Sequence, residues 1–227
     1  MMKKKRQSRN GICPICDQVS DLTKGHVLPL VWFCDPKPDD LWIIDECFSC
    51  NQSHAEGDIQ IRDFIVGQVD PRFCPEAASL WKKSIRAYRN RRSKVIYAMS
   101  QTSEEIDVLN EYGLWVGATY RGVVEAKLID NALEHLAKRL TAHDRNCVVR
   151  NIHVDAKLMP AQGVQSLLGK MASLGASPLA GFQRGKRIAP EVKLTRMLDR
   201  DNKYSGTWLI SFYNMRMGIR IITQPQS

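Results

Sequence analysis

The second half of the chain carries the clearest patterns of apolar and polar positions. Ile129, Leu133, Leu136 and Leu140 recur at helical spacing, and Glu134 and Lys138 stand four apart, so an amphipathic helix is predicted with an ion pair on its outer face. Residues 151–158 alternate in the period-two rhythm of a strand, and residues 163–173 return to helical spacing. Two β-branched and aromatic runs, 206–213 and 217–223, predict a closing hairpin, and residues 112–125 read as short strands broken by Gly113, Gly117 and Gly122. Upstream, residues 75–99 predict a helix: Glu76, Ala77 and Ala78 follow Pro75, and Trp81, Ile85 and Tyr88 share a face that can pack. Polar residues 100–105 read as a junction. These elements give an α+β fold class. No internal repeat, glycine-rich phosphate loop or nucleophile elbow accompanies them.

The first seventy residues have a different character. Their longest apolar run, residues 27–34, is interrupted by Pro29 and falls far short of the ~20 residues that span a bilayer, so no membrane is expected. The start, MMKKKRQSRN, has a basic stretch with no apolar segment behind it, unlike a secretory signal, and the expected location is the cytoplasm. Thiols stay reduced there, so the seven cysteines point to metal ligation or free thiols before disulfides. Cys13-Pro-Ile-Cys16 and Cys47-Phe-Ser-Cys50 are two CxxC pairs, each able to offer two thiolates to one tetrahedral Zn²⁺. A chain of 227 residues buries roughly 70 to 75% of its unfolded surface without help, so the zinc staples a module and is not needed merely to make a core. Cys34, Cys74 and Cys147 stand alone and are expected to be buried thiols.

The net charge of +9 is unevenly distributed. Basic residues exceed acidic ones by five in residues 1–10, by seven in 71–94 and by six in 181–227, whereas acidic residues exceed basic ones by eight in 11–70. A basic protein suggests a polyanionic partner, and the acidic segment coincides with the cysteine pairs, which suits a cation and not a phosphate backbone. Lys82, Arg86 and Arg89 recur along one helical face in the basic segment and are the expected nucleic-acid contacts. The resulting division is a basic arm at 1–10, a zinc-bound module at 11–70, a basic helical connector at 71–105 and an α+β domain of unknown role at 106–227.

A four-coordinate zinc has no open position, so any chemistry needs other groups. His26 opens the step His26-Val27-Leu28-Pro29, and Asn51 and His54 follow Cys50 at helical spacing, with Asp58 one turn further. The order CxxC, histidine with an apolar-apolar-proline step, then CxxC-Asn resembles the HNH endonucleases, in particular those in which a Cys₄ zinc staples the module. The match covers residues 13–58, 46 of 227. It implies a ββα-metal module with His26 as general base and Asn51 as ligand of a catalytic Mg²⁺ or other divalent cation, His54 and Asp58 being further candidates for that ion. It implies metal-dependent hydrolysis of phosphodiester bonds, with double-stranded DNA as the expected partner. Two positions depart from the family pattern. Many members place Asp or Glu immediately before the histidine, where this chain has Gly25, and no Asn stands between His26 and Cys47, the nearest polar candidate being Asp40. The alternative expectation is a zinc-stabilised nucleic-acid-binding protein without catalytic activity.

Overall fold

Around the two cysteine pairs the chain forms strands. In the computed structural model, which describes residues 9–69, 74–90, 94–109, 112–121, 127–177, 180–213 and 217–226, β1 (Arg9–Ile12), β2 (Val19–His26) and β3 (Ile43–Cys47) make an antiparallel sheet in that order. The register sets His26 opposite Ile43 and Gly25 opposite Ile44. Residues 1–8 of the expected basic arm lie outside the described residues, and the arm's last two residues already belong to β1. β3 runs directly into α1 (Phe48–Ser53), and after His54 the chain continues as α2 (Ala55–Gly67).

The helix expected over residues 75–99 is two helices. α3 (Pro75–Arg89) starts at proline, which fits the first turn where its missing N–H is not needed, and stops where Asn90 leaves the helical region. α4 (Lys94–Thr102) follows, with residues 91–93 outside the described set. The expected junction at 100–105 is not a loop: α4 runs into it, and β4 (Glu104–Leu109) begins within it and pairs with β5 (Trp115–Arg121). Strand pairing here overrides the polar composition, since backbone partners and not local propensity decide. Residues 122–125 of the hairpin expected over 112–125 lie outside the described residues.

The remainder follows its periodicity closely. α5 (Lys127–Arg145) buries Ile129, Leu133, Leu136 and Leu140, and the Lys138 ammonium lies 2.6 Å from Glu134 Oε1 on its outer side. β6 (Ile152–Pro160), α6 (Ala161–Ser173), β9 (Gly206–Phe212) and β10 (Met217–Pro225) fall where the patterns place them. Between α6 and β9 lies a hairpin that the pattern did not announce, β7 (Ala180–Arg184) and β8 (Arg187–Leu198), turning at Gly185 with φ +59°. All five strands form one antiparallel sheet in the order β6-β10-β9-β8-β7.

One buried apolar cluster extends from Cys13 and Val27 through Ile61 and Leu136 to Ile221, so the cysteine-rich segment and the five-stranded sheet share a core. The β2–β3 connection drives this union. Its apolar run turns through a single 3-10 turn at Leu30–Trp32 and inserts Trp32 edge-on against Phe212 at 5.4 Å and Phe33 against Phe182 at 5.7 Å. Trp42 stacks on His143 of α5 with 4.7 Å between ring centroids. α2 and α5 meet at Gly57, where an added Cβ would lie 2.4 Å from Ala132 Cβ, so only glycine permits this close approach. That contact brings α5 side chains beside those that follow the second cysteine pair. Among the described residues no helix is long and apolar enough to cross a membrane.

Candidate functional site

The two cysteine pairs converge as their spacing requires. The Sγ atoms of Cys13, Cys16, Cys47 and Cys50 all lie within 4.8 Å of one another, with Cys16 and Cys47 3.8 Å apart. A tetrahedron with metal–sulfur bonds of about 2.3 Å has edges of about 3.8 Å, so the four positions fit a zinc ion. Backbone placement explains the fit: Cys47 ends β3 and caps α1, its sulfur accepting from the Cys50 N–H at 3.4 Å, while its own N–H donates to Cys13 Sγ at 3.4 Å. Burial alone would raise the Cys47 thiol, but the Ser49 hydroxyl, the Cys50 N–H and the neighbouring thiols hold it down at about 6. Burial and the adjacent thiols push Cys50 the other way. A cation at their centre is what would let all four ionise together. The cluster is thus positioned to bind a metal ion such as zinc.

Beside it lies a cavity of about 250 Å³ lined by His26, Pro29, Asn51, His54, Asp58 and Arg139, among others. His26 comes from the end of β2, Asn51 from α1, His54 from the break between the two helices, Asp58 from α2 and Arg139 from α5. His54 and Asp58 are 4 and 7% exposed, and Arg139 is 2% exposed. Asn51 and His54 do not share one continuous helix; the chain breaks at His54, yet both side chains still line the same cavity. The Asn51 amide donates to Thr23 Oγ1 at 3.2 Å, which ties α1 to β2. Trp32 Nε1 donates to the Asp58 carbonyl at 3.0 Å and holds the β2–β3 connection over the cavity wall.

Two further groups complete this region and were not singled out in the sequence. Glu46, on β3, has no exposed surface, and Arg139 stands 3.6 Å from its Oε1 and 3.7 Å from Asp58 Oδ2. His54 Nε2 is 4.0 Å from both carboxylates. Burial raises Glu46 to about 7, against the pull of Arg139, and burial together with Glu46 raises Asp58 well above the usual carboxylate range. Burial and the Arg139 charge lower His26, keeping its imidazole neutral at neutral pH. Arg139 itself is lowered to about 10 by burial and remains charged. Both residues left a trace in the sequence. Glu46 shares the inward parity of Ile44 along β3, and Arg139 sits three residues after Leu136 on the apolar stripe of α5; a charged group in an inward position is the signal.

The remaining candidates fall as follows. Lys82, Arg86 and Arg89 are exposed along α3, while Trp81, Ile85 and Tyr88 are half-buried behind them. Cys34 and Cys74 are buried, and burial first and Glu191 second raise the Cys34 thiol to about 11. Cys147 is only half-buried, because it follows the end of α5 where the chain leaves the core. Asp40 accepts from the Gln183 N–H at 2.6 Å and so anchors the β2–β3 connection to β7, away from the cavity. No family model matches this chain, and neither a curated protein nor a solved structure matches it.

Proposed function

We propose that the protein is a metal-dependent nuclease that hydrolyses phosphodiester bonds, most readily in double-stranded DNA, through a zinc-stapled ββα-metal module of the HNH kind. The observation that carries the reading is the gathering of His26, Asn51, His54 and Asp58 around one cavity adjoining the four-cysteine cluster. His26, half-buried and neutral, takes a proton from water at the cavity wall; the water oxygen bonds to phosphorus, and the 3′ oxygen leaves with a proton from solvent. Asn51, His54 and Asp58 are the groups that would hold Mg²⁺ or another divalent cation, whose charge would offset that developing on the phosphate and the leaving oxygen. The exposed Lys82, Arg86 and Arg89 on α3 offer a line of positive charge to the strand.

A nicking assay on supercoiled plasmid with Mg²⁺ or Mn²⁺ tests the reading. Wild type should cut, and His26→Ala should lose cutting at least a hundredfold while keeping one zinc per chain. Cutting that His26→Ala leaves unchanged sinks the mechanism. A second reading, a zinc-stabilised nucleic-acid-binding protein without hydrolysis, draws on Arg139, whose guanidinium already faces both Glu46 and Asp58 as a built-in cation. It predicts salt-sensitive duplex binding with no cleavage by wild type.

A further inference from the structure

Gly25 has no side chain, and the space beside it is filled by another residue. A Cβ built on Gly25 would lie 2.0 Å from Glu46 Oε1 and 2.9 Å from Glu46 Cδ, so no other amino acid fits at position 25 while Glu46 keeps its place. The Glu46 carboxylate occupies that gap fully buried, and among the described residues neither of its oxygens accepts a hydrogen bond. His54 Nδ1 is likewise buried and without a hydrogen-bond partner among the described residues. Buried carboxylates of this kind are normally satisfied by N–H groups, water or an ion.

The one cation nearby does not satisfy them. Glu46 and Asp58 face a single guanidinium, Arg139, at 3.6 and 3.7 Å, separations too long for hydrogen bonds. The same two carboxylates each approach His54 Nε2 to 4.0 Å. One imidazole nitrogen thus stands between two carboxylates from separate segments, and the buried Glu46 oxygens have no hydrogen-bond partner among the described residues.

We propose that Glu46, His54 and Asp58 together bind a divalent cation, with Glu46 reaching from β3 through the gap that Gly25 leaves. The inference rests on the nuclease reading of this cavity and adds to it a ligand and an ion preference. A mixed oxygen and nitrogen set favours Mn²⁺ over Mg²⁺, which prefers oxygen ligands and keeps much of its water.

The test is a Mn²⁺ titration of the full-length zinc-loaded chain, followed by electron paramagnetic resonance of the free ion. Wild type should bind one Mn²⁺ with zinc retained, and Glu46→Gln should weaken that binding at least tenfold at unchanged zinc content. Glu46→Gln keeps the length and volume of the side chain in the gap beside Gly25, so the fold is expected to hold. A second pair of variants removes dependence on that expectation. Glu46→Ala should lose Mn²⁺ binding, and Gly25→Asp combined with Glu46→Ala, which supplies a carboxylate to the same space from β2, should recover it to within tenfold of wild type. The inference is overturned if wild type binds no Mn²⁺ beyond the zinc, or if Glu46→Gln binds it as wild type does. Mn²⁺ held through Glu46 with no plasmid cutting by wild type upholds the site and sinks the nuclease reading; cutting by wild type with Mn²⁺ affinity unmoved in Glu46→Gln does the reverse.

Discussion

Two polar clusters flank the segment that runs from β3 through α1 to α2, and they are held together by different means. In the four-cysteine cluster every donor is of one kind, all four sulfurs lie within 4.8 Å of one another, and two of the four ligands come from one three-residue step at the end of β3. In the carboxylate cluster the groups are unlike, lie 3.6 to 4.0 Å apart, and come from β3, the α1–α2 break, α2 and α5. The first could close a four-ligand shell around a single ion; the second already contains a charged side chain, Arg139, and opens on a cavity. A closed shell can only hold structure together. An open set with unsatisfied groups leaves room for a ligand, and the proposed function assigns the structural role to the first and the chemical role to the second on that difference.

The largest effect should come from breaking the closed shell. Cys47→Ser removes a ligand that also caps α1 through the Cys50 N–H, so it should abolish zinc binding and unfold the module, structural zinc being worth on the order of 10 kcal/mol or more. Elemental analysis should fall from one zinc per chain to none, with loss of the cooperative urea transition. Full stability at zero zinc would show that the shared core, which extends from Cys13 to Ile221, holds the segment without the metal and would erase the contrast between the clusters.

An intermediate effect tests the open cluster. Arg139→Met removes the guanidinium that faces both Glu46 and Asp58 while keeping most of the volume, and stranding buried charge in this way typically costs about 3–5 kcal/mol. Zinc content should not change. Added Mn²⁺ should restore more stability to Arg139→Met than it adds to wild type, because an ion that binds the folded state alone shifts the unfolding equilibrium by mass action. Chemical denaturation with and without Mn²⁺ measures both; a loss below about 1 kcal/mol would mean the carboxylates are not held as charges, and the cluster would lose its kinship with a metal site.

How far each cluster was legible in the sequence follows from the same contrast. The cysteines announce themselves because a CxxC step is local and its chemistry narrow. His26, Asn51, His54 and Asp58 were visible through their spacing around those steps, although the break at His54 was not, since no proline or glycine marks it. Glu46 and Arg139 escaped because their roles depend on partners 93 residues apart in sequence. Local pattern marks each as a charge in an inward position, but it does not name the partner until β3 and α5 are packed together. The fold shows a similar limit. α5, β6, α6 and the β9–β10 hairpin carry clean periodicity and fall in place, whereas β4 and the β7–β8 hairpin are polar enough to pass for connections and are fixed by strand partners that local pattern does not name.

The smallest effect on stability, and the sharpest on binding, concerns charge that belongs to neither cluster. Lys82, Arg86 and Arg89 are exposed along α3 with no share in the core, so replacing all three by Ala should change stability by only a few tenths of a kcal/mol per site and leave zinc and Mn²⁺ binding as they were. If this face follows a phosphate backbone, each side chain lost removes one counterion-releasing contact, worth about 0.9 in the slope of log affinity against log salt. The triple variant should therefore flatten that slope by about 2.7, read by fluorescence anisotropy of a labelled duplex across a salt series, and weaken binding at low salt far more than at high salt. The flattening should be the same for different duplex sequences, since phosphate contacts carry no base information. An unchanged slope would move the nucleic-acid face elsewhere, to the basic residues of 181–227, and would leave both clusters untouched; a loss of fold would show that this charge, like that of Glu46 and Arg139, is part of the interior after all.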